Sequence, residues 1–549
     1  MNQPWVQEYD PCGNQILSTV VAAFPVCLLF YMLAIRKVTA YLAAVYSFVV
    51  ALLLALLVFH MPPLVLAGTM AHGFVFAVIR IAWTLVTAVF VYDLTVETGK
   101  FPMIVQSIGS ITDDRRLQVL LIPFAFGALL EGAAGGGSPV AICSAMMVGL
   151  GFRPFEAATL SLIANTAPVA YGAMGNPIRT LVAVTSLPEA DLSAMVGRIL
   201  PWTALLLPFW LIRAQCTARQ TLAVWPGLLA CGITFASIQF FWSNYMDATL
   251  VDIIGGLGTL VLLAVFFSFW KPCPVWRYSG DPLREQNTGL PAARLFAAWS
   301  PFLLMTGAVI FWGLPMVRSG LDAWTGRYPV PGLHLQVLRH PPVVASLQAE
   351  PAIFEFAWLS SVGTATFLAG LLSGRLLGLP LRDTLRVFRR TVFRMRFSVI
   401  AILAMLGLGF VTRYSGMDAV LGLALTRTGW LYPFFGTLIG WLGVALTGTD
   451  AGSNALFGSL QVITARNLNL SPVLMAAANS AGGVMGKMID AQSIIIACAA
   501  TGLEGREGDV FRSVLKHSIA LAVIVSLLVL AFAYLMPEWI PEGRRFLFG

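Results

Sequence analysis

The polar side chains that interrupt the apolar runs of this chain gather in four short stretches. The first is Glu131-Gly-Ala-Ala-Gly-Gly-Gly-Ser138-Pro139, and the second is Ala164-Asn165-Thr166-Ala167-Pro168. The third is Thr449-Asp450-Ala-Gly-Ser453-Asn454, and the fourth runs from Asn479-Ser480 to Lys487 and Asp490. Gly136, Gly137, Ser138, Asn165, Thr166, Ser453, Asn454, Asn479 and Ser480 supply backbone and neutral side-chain donors and acceptors. A nest of that kind suits a small carboxylate bearing a hydroxyl. Where a helix breaks, the start of its second half presents free N–H groups and partial positive charge, which also favours an anion. Lys487 either pairs with Asp490, three residues on along one helix face, or attracts the anion itself. Glu131 and Asp450 flank the two tips. They are candidate acceptors for a coupled proton, the alternative being hydrogen-bonded anchors of the tips. A charge at the centre of a membrane helix costs about 2.5–3.5 kcal/mol, so these groups, with Asp93 and Arg80, each need a partner or a use.

Such groups must be held by elements that enter a bilayer. The 549 residues are 58% hydrophobic and 11% charged, with a mean hydropathy of +0.81. A soluble domain carries about 25% charged residues, so most of this surface faces lipid or other helices. Continuous apolar runs of about twenty residues fit helices, whereas a β-barrel would alternate with period two. The formal charge of +8 comes from short Lys/Arg clusters between apolar runs. That is cytoplasmic-loop bias, and no nucleic-acid partner is expected. The seven cysteines have no metal-ligand or disulfide spacing, so neither a metal nor a cofactor is expected. Met1–Asn14 lacks a basic region before the first apolar run, which is therefore expected to stay as a span.

The pattern predicts an all-α polytopic membrane protein with about 12 transmembrane helices. They are placed at 15–35, 38–60, 79–96, 155–185 (broken), 198–214, 221–244, 249–270, 294–316, 354–377, 396–412, 472–500 (broken) and 514–536. Two hairpins, 117–150 and 430–466, have arms too short or too polar for ordinary spans and are expected to be re-entrant. Basic residues in short loops put both termini outside. Arg382, Arg386, Arg389, Arg390 and Arg394 interleave with apolar residues, as in an amphipathic helix at the interface.

The chain also repeats itself. Gly127–Gly132 matches Gly443–Gly448, Ala164–Ala167 matches Ala478–Ala481, and Thr98-Gly99 matches Ser415-Gly416, at offsets of 314 to 317. A first unit, 15–214, is thus repeated by a second, 294–536, with a span pair at 221–270 inserted. Seven predicted spans separate corresponding points, and an odd number turns the second unit upside down. Inverted repeats with paired broken helices are a layout of secondary transporters. Glycines serving only close helix packing would leave the recurrence of Asn165 and Asn479 beside the breaks unexplained.

The stretches Glu131–Ala141, Leu162–Gly175, Leu446–Gly458 and Ser471–Ile489 resemble those of the L-lactate permease family. The resemblance implies a bacterial inner-membrane, multi-pass symporter that takes up a 2-hydroxymonocarboxylate, lactate or glycolate, with a proton. It also implies an elevator-type arrangement in which hairpins and broken helices move against a scaffold. A homodimer is compatible with it. Gly136, Asn176, Arg179 and Asp490 depart from the family pattern, and they lie beside the expected pocket.

Importing an anion against a negative interior costs about 2.3 kcal/mol per 100 mV, which a co-transported proton or sodium removes. The chain has no phosphate-binding G-x-x-x-x-G-K-[ST] sequence. The alternative within the same class is a sodium- or proton-coupled carrier of another small organic anion. A channel would call for charged rings or carbonyl filters at a constriction. An enzyme would call for a cluster that the five scattered histidines do not form.

Overall fold

The computed structural model describes residues 4–547 apart from 33–35, 37, 134, 136–137, 279–290, 345 and 505. Among the described residues, ten helices are long and apolar enough to cross a bilayer. Eight overlap predicted spans: Pro63–Glu97 and Leu381–Ser415, which begin several turns before the expected 79–96 and 396–412, with Glu189–Gln215, Trp225–Met246, Val251–Phe269, Ala293–Trp312, Pro472–Thr501 and Glu507–Tyr534. The other two, Arg115–Ala133 and Met417–Thr447, include the first arms of the predicted hairpins. The predicted spans at 15–35 and 38–60 are the shorter helices Gln15–Phe30 and Ala40–Leu57. The one at 354–377 contracts to Val362–Leu376, because Ile353–Phe356 is drawn into strand pairing. Pro188 precedes Glu189–Gln215 as its N-cap, so the predicted span at 198–214 starts earlier than expected.

The return arm of the first hairpin, Ser138–Gly149, has 12 residues. At 1.5 Å per residue that is about 18 Å, too short for a hydrocarbon layer of about 30 Å. In the second hairpin Tyr432–Thr447 and Asp450–Asn467 are joined through Gly448 (φ +78°) and Thr449, whose hydroxyl caps the returning helix at Gly452 N.

Pro63–Glu97 and Leu381–Ser415 are both 35 residues long, about 52 Å each. Both begin at a proline step, where the ring pre-sets helical φ. Gly99 (φ +66°) follows the first within two residues and Gly416 (φ +93°) caps the second. The arginine-rich stretch 382–394 is thus the opening turns of one continuous helix, not a separate interfacial element. Two of its arginines tie the long helices together: Arg394 holds Asp93 at 2.5 Å and Arg390 holds Glu97 at 3.3 Å. Asp93 therefore has its partner. The Arg80 side chain lies outside the described residues.

The apolar core falls into two main clusters, and each draws on both halves of the sequence. One joins residues of 117–212 to residues of 462–532, and the other joins 22–81 to 404–460. Glycines let the backbones approach, as small residues do between membrane helices. A Cβ on Gly440 would lie 2.0 Å from the Asn479 carbonyl oxygen, and one on Gly482 would lie 2.1 Å from that of Thr437. Tyr432–Thr447 and Pro472–Gly486 are thereby locked side by side.

Five short strands were not expected: β1 (Trp5–Val6), β2 (Gly326–Pro329), β3 (Val337–Arg339), β4 (Gln348–Ala349) and β5 (Ile353–Phe356). They form a sheet ordered β1-β3-β4 and a separate β2-β5 pair. Glu350 fastens this cap to the helices, accepting from Arg413 Nε at 2.8 Å and pairing with Arg339 Nε at 2.7 Å. Burial alone would raise the Glu350 carboxyl, but the two guanidinium groups hold it below its usual 4.5. Arg413 also donates to the carbonyls of Ala183 and Val184, both at 2.9 Å, where the helix Gly172–Thr185 ends.

Candidate functional site

Asp450 opens the helix Asp450–Asn467, where a negative charge faces the positive end of the helix dipole. Its Oδ2 accepts a very short hydrogen bond from Ser480 Oγ and a longer one, 3.4 Å, from Asn454 Nδ2. Among the described residues its Oδ1 has no hydrogen-bond partner. Gly483 leaves room for it, since a Cβ there would lie 2.3 Å from Oδ1. Beside it, Asn479 Nδ2 donates to Asn454 Oδ1 at 2.9 Å and to Ser453 Oγ at 3.3 Å. Asn479 Oδ1 accepts from Gln461 Nε2 at 3.2 Å. Gln461 in turn donates to the Gly436 carbonyl at 2.7 Å and accepts from Tyr432 OH at 2.7 Å. All these side chains are buried. Together they form a neutral hydrogen-bonded web around one carboxylate.

The web reaches the first half of the chain through Asn454, whose Nδ2 donates to the Pro177 carbonyl at 3.2 Å. Pro177 follows an irregular passage. Pro154–Ala164 ends at Asn165, turns follow, and Ala173, Met174 and Gly175 wind left-handed (φ +46°, +58° and +74°) before the helix resumes. Gly175 is needed there, because a Cβ would lie 2.4 Å from the Ala248 carbonyl oxygen. Glu131 sits against this passage: a Cβ on Gly172 would lie 2.8 Å from its Oε1. Asn165 neighbours Glu131, yet neither its amide atoms nor Glu131 Oε2 make a hydrogen bond of ordinary geometry among the described residues.

The expected residues thus fall into two adjoining patches. Asp450, Ser453, Asn454, Asn479 and Ser480 share one web, while Glu131 and Asn165 line the other. Lys487 spends its charge locally, on the Gly448 carbonyl at 2.6 Å and on Asp490 at 3.3 Å, as the spacing of the pair allows. It is still close enough for its charge to be felt at Glu131. Asp490 also caps Ala491–Thr501, accepting from Gln492 N and Ser493 N at 3.0 Å each.

Three expectations need correction or limits. Asn479 is not beside a break: Pro472–Gly486 is continuous through it, and the interruption comes at Lys487–Asp490. Thr166 turns its hydroxyl to the Ile163 carbonyl, 2.8 Å away, closing its own helix end. Gly136, Gly137 and the Ser138 side chain lie outside the described residues. Sequence reading missed Tyr432, Gln461, Gln239 and Asp252. Asp252 was findable, as an acid within an apolar run. The apolar groove lined by Phe101, Ala141, Ile142, Ala145, Met146 and Ala500 offers an anion nothing.

A buried web of neutral side chains around one carboxylate suits a permease for a small anion, and comparison with known proteins bears on that directly. The profile of the L-lactate permease family matches residues 18–536. The chain belongs to this family. Among its relatives, the L-lactate permease of Bacillus subtilis is 41% identical, over 97% of this chain and all of the relative. The glycolate permease GlcA of Escherichia coli is 42% identical over 96% of this chain and 98% of its own length. The L-lactate permease of Escherichia coli is 42% identical over 98% of this chain and all of its own. As a member of the L-lactate permease family with ten membrane-length helices, the chain is a multi-pass membrane protein.

Proposed function

We propose that this protein is a secondary active transporter that imports a small 2-hydroxymonocarboxylate, lactate or glycolate, with a proton across the bacterial inner membrane. The observation that carries the reading is end-to-end similarity to relatives named as lactate and glycolate permeases. The carboxylate is received between the two patches. Asn165, Ser453, Asn454, Asn479, Ser480 and the Gly136–Ser138 backbone offer neutral hydrogen bonds, and Lys487 biases the site towards an anion. Glu131 and Asp450 are the groups on which a proton is carried.

The two halves are read as inverted repeats. Matched 35-residue helices, two hairpins and two interrupted helices support this reading. The hairpins and interrupted helices form the moving part of an elevator, and the long helices form its scaffold. The test is uptake of labelled lactate and glycolate into proteoliposomes under imposed pH or sodium gradients. The reading expects accumulation driven by an inward pH gradient with either substrate. Accumulation driven by sodium alone, or of neither acid, overturns it.

A further inference from the structure

Val251–Phe269 belongs to the inserted span pair, outside both repeats, and so has no counterpart on which a shared role could rest. Its first turn carries Asp252, whose side chain has no solvent exposure. Among the described residues, neither Asp252 oxygen has a hydrogen-bond partner and no ion pair reaches it. Capping does not explain the residue. Asp247 already serves the start of this helix, accepting from Thr249 N at 2.8 Å and Leu250 N at 3.0 Å. Packing does not explain it either, since an apolar side chain of that size would avoid the cost of burying a carboxyl without a partner.

Its position is informative. A Cβ on Gly132 would lie 2.9 Å from Asp252 Cβ, so Asp252 packs against the residue that follows Glu131. The charge of Glu131 is felt at Asp252. Asn165, beside Glu131, adds a buried amide without an ordinary hydrogen bond among the described residues. Two neighbouring buried carboxylates, with the Asn165 amide as the neutral donor beside Glu131, cannot both stay ionised there, so one proton is held between them.

The charged and titratable groups around the pair are few. Lys487 acts on Glu131, but it is held by Gly448 and Asp490. Tyr171 faces Asp252 and donates to the Ser193 carbonyl at 2.6 Å. The helix Gly172–Thr185 brings Arg179, which donates to Thr249 Oγ1 at 2.8 Å. Trp225–Phe241 brings Cys231, Ser138–Gly149 brings Cys143, and the segment Leu120–Phe126 brings none. Pro63–Glu97 brings Tyr92, Asp93 and Glu97, the last two engaged by Arg394 and Arg390.

We propose that Asp252 shares the transported proton with Glu131, so that the inserted span pair supplies half of the coupling site. The inference rests on the proton-symport reading above. In one conformation the pair holds one proton between two carboxylates. Approach of the anion beside the passage 165–175 and departure of the proton are then linked through Glu131, which touches both.

The test is Asp252→Asn in reconstituted protein, read three ways. The amide mimics the protonated acid, so the variant is expected to fold and to exchange lactate for labelled lactate. A gradient of one pH unit supports about tenfold accumulation in the unaltered protein with one proton per substrate. The variant is expected to equilibrate without accumulating. Infrared spectroscopy of the unaltered protein at neutral pH, which needs no substrate, is expected to show a carboxylic-acid C=O band that Asp252→Asn lacks. Accumulation as in the unaltered protein overturns the proposal, as does a variant that does not fold, one that loses exchange as well, or absence of the infrared band. If the unaltered protein exchanges neither lactate nor glycolate, the function reading falls, and the infrared band still decides the state of Asp252.

Discussion

Replacing Asn479 with alanine removes three hydrogen bonds, to Asn454 Oδ1, to Ser453 Oγ and from Gln461 Nε2. Interhelical side-chain hydrogen bonds in membrane proteins average about 0.6 kcal/mol, so the three together contribute about 2 kcal/mol. Two of the partners keep other bonds: Ser453 to the Gly440 carbonyl and Gln461 to that of Gly436. Asn454 Oδ1 loses its donor, and stranding one buried acceptor adds about 1 kcal/mol or more. The expected loss of stability is therefore about 3 kcal/mol. Asn165→Ala makes the contrast, because its amide atoms have no ordinary hydrogen bond to lose. Its expected loss of stability is therefore clearly smaller than that of Asn479→Ala. Both variants are expected to lose lactate uptake while reaching the membrane. The assay pairs denaturation of purified protein in detergent with uptake into proteoliposomes. If Asn165→Ala is destabilised as much as Asn479→Ala, the account of the two patches is wrong. Normal uptake by both variants would remove the site assignment.

Gly440→Ala drives a methyl into the Asn479 carbonyl, which cannot move aside, and is expected to cost about 1–3 kcal/mol; an unchanged melting temperature would contradict the close packing described here. Lys487→Met frees the Gly448 carbonyl and leaves Asp490 without its cation, so uptake should fall even though Asp490 still caps its helix; unaltered uptake would show that the lysine acts only locally. Because the folded Glu350 carboxyl lies below its unfolded value of 4.5, its contribution to stability is full above that value and is lost as pH falls through the folded one. Glu350→Gln is expected to abolish that acid-side loss and to be less stable at neutral pH, by about 3 kcal/mol for a broken buried pair, which denaturation against pH would show.

Apolar runs of membrane length announce themselves, and eight of the long helices lie where hydropathy puts them. Breakers were legible too: Pro168, Gly172 and Gly175 mark the passage in which the helix fails. Three-dimensional partnership was harder to read. The same Ala-Asn-polar-Ala pattern occurs at a helix end in one half and inside a continuous helix in the other, because Gly482, Gly483 and Gly486 serve packing there and not breakage. The cap strands escaped notice since their pairing joins Trp5 to Val337, a separation that local periodicity cannot register. Asp252 lies in a stretch with no sequence match in the other half, where comparing the halves gave no reason to look.

The left-handed turn at Ala173 and Met174 has a thermodynamic meaning of its own. Each L-residue with a side chain in that twist costs about 1–2 kcal/mol relative to right-handed winding. Neighbours hold it in place: Gly135 abuts Ala173, and the Thr366 hydroxyl reaches the Met174 sulfur at 3.4 Å. The wall beside Glu131 is therefore wound at a standing cost that a right-handed turn would not carry, and the contacts around it offset that cost.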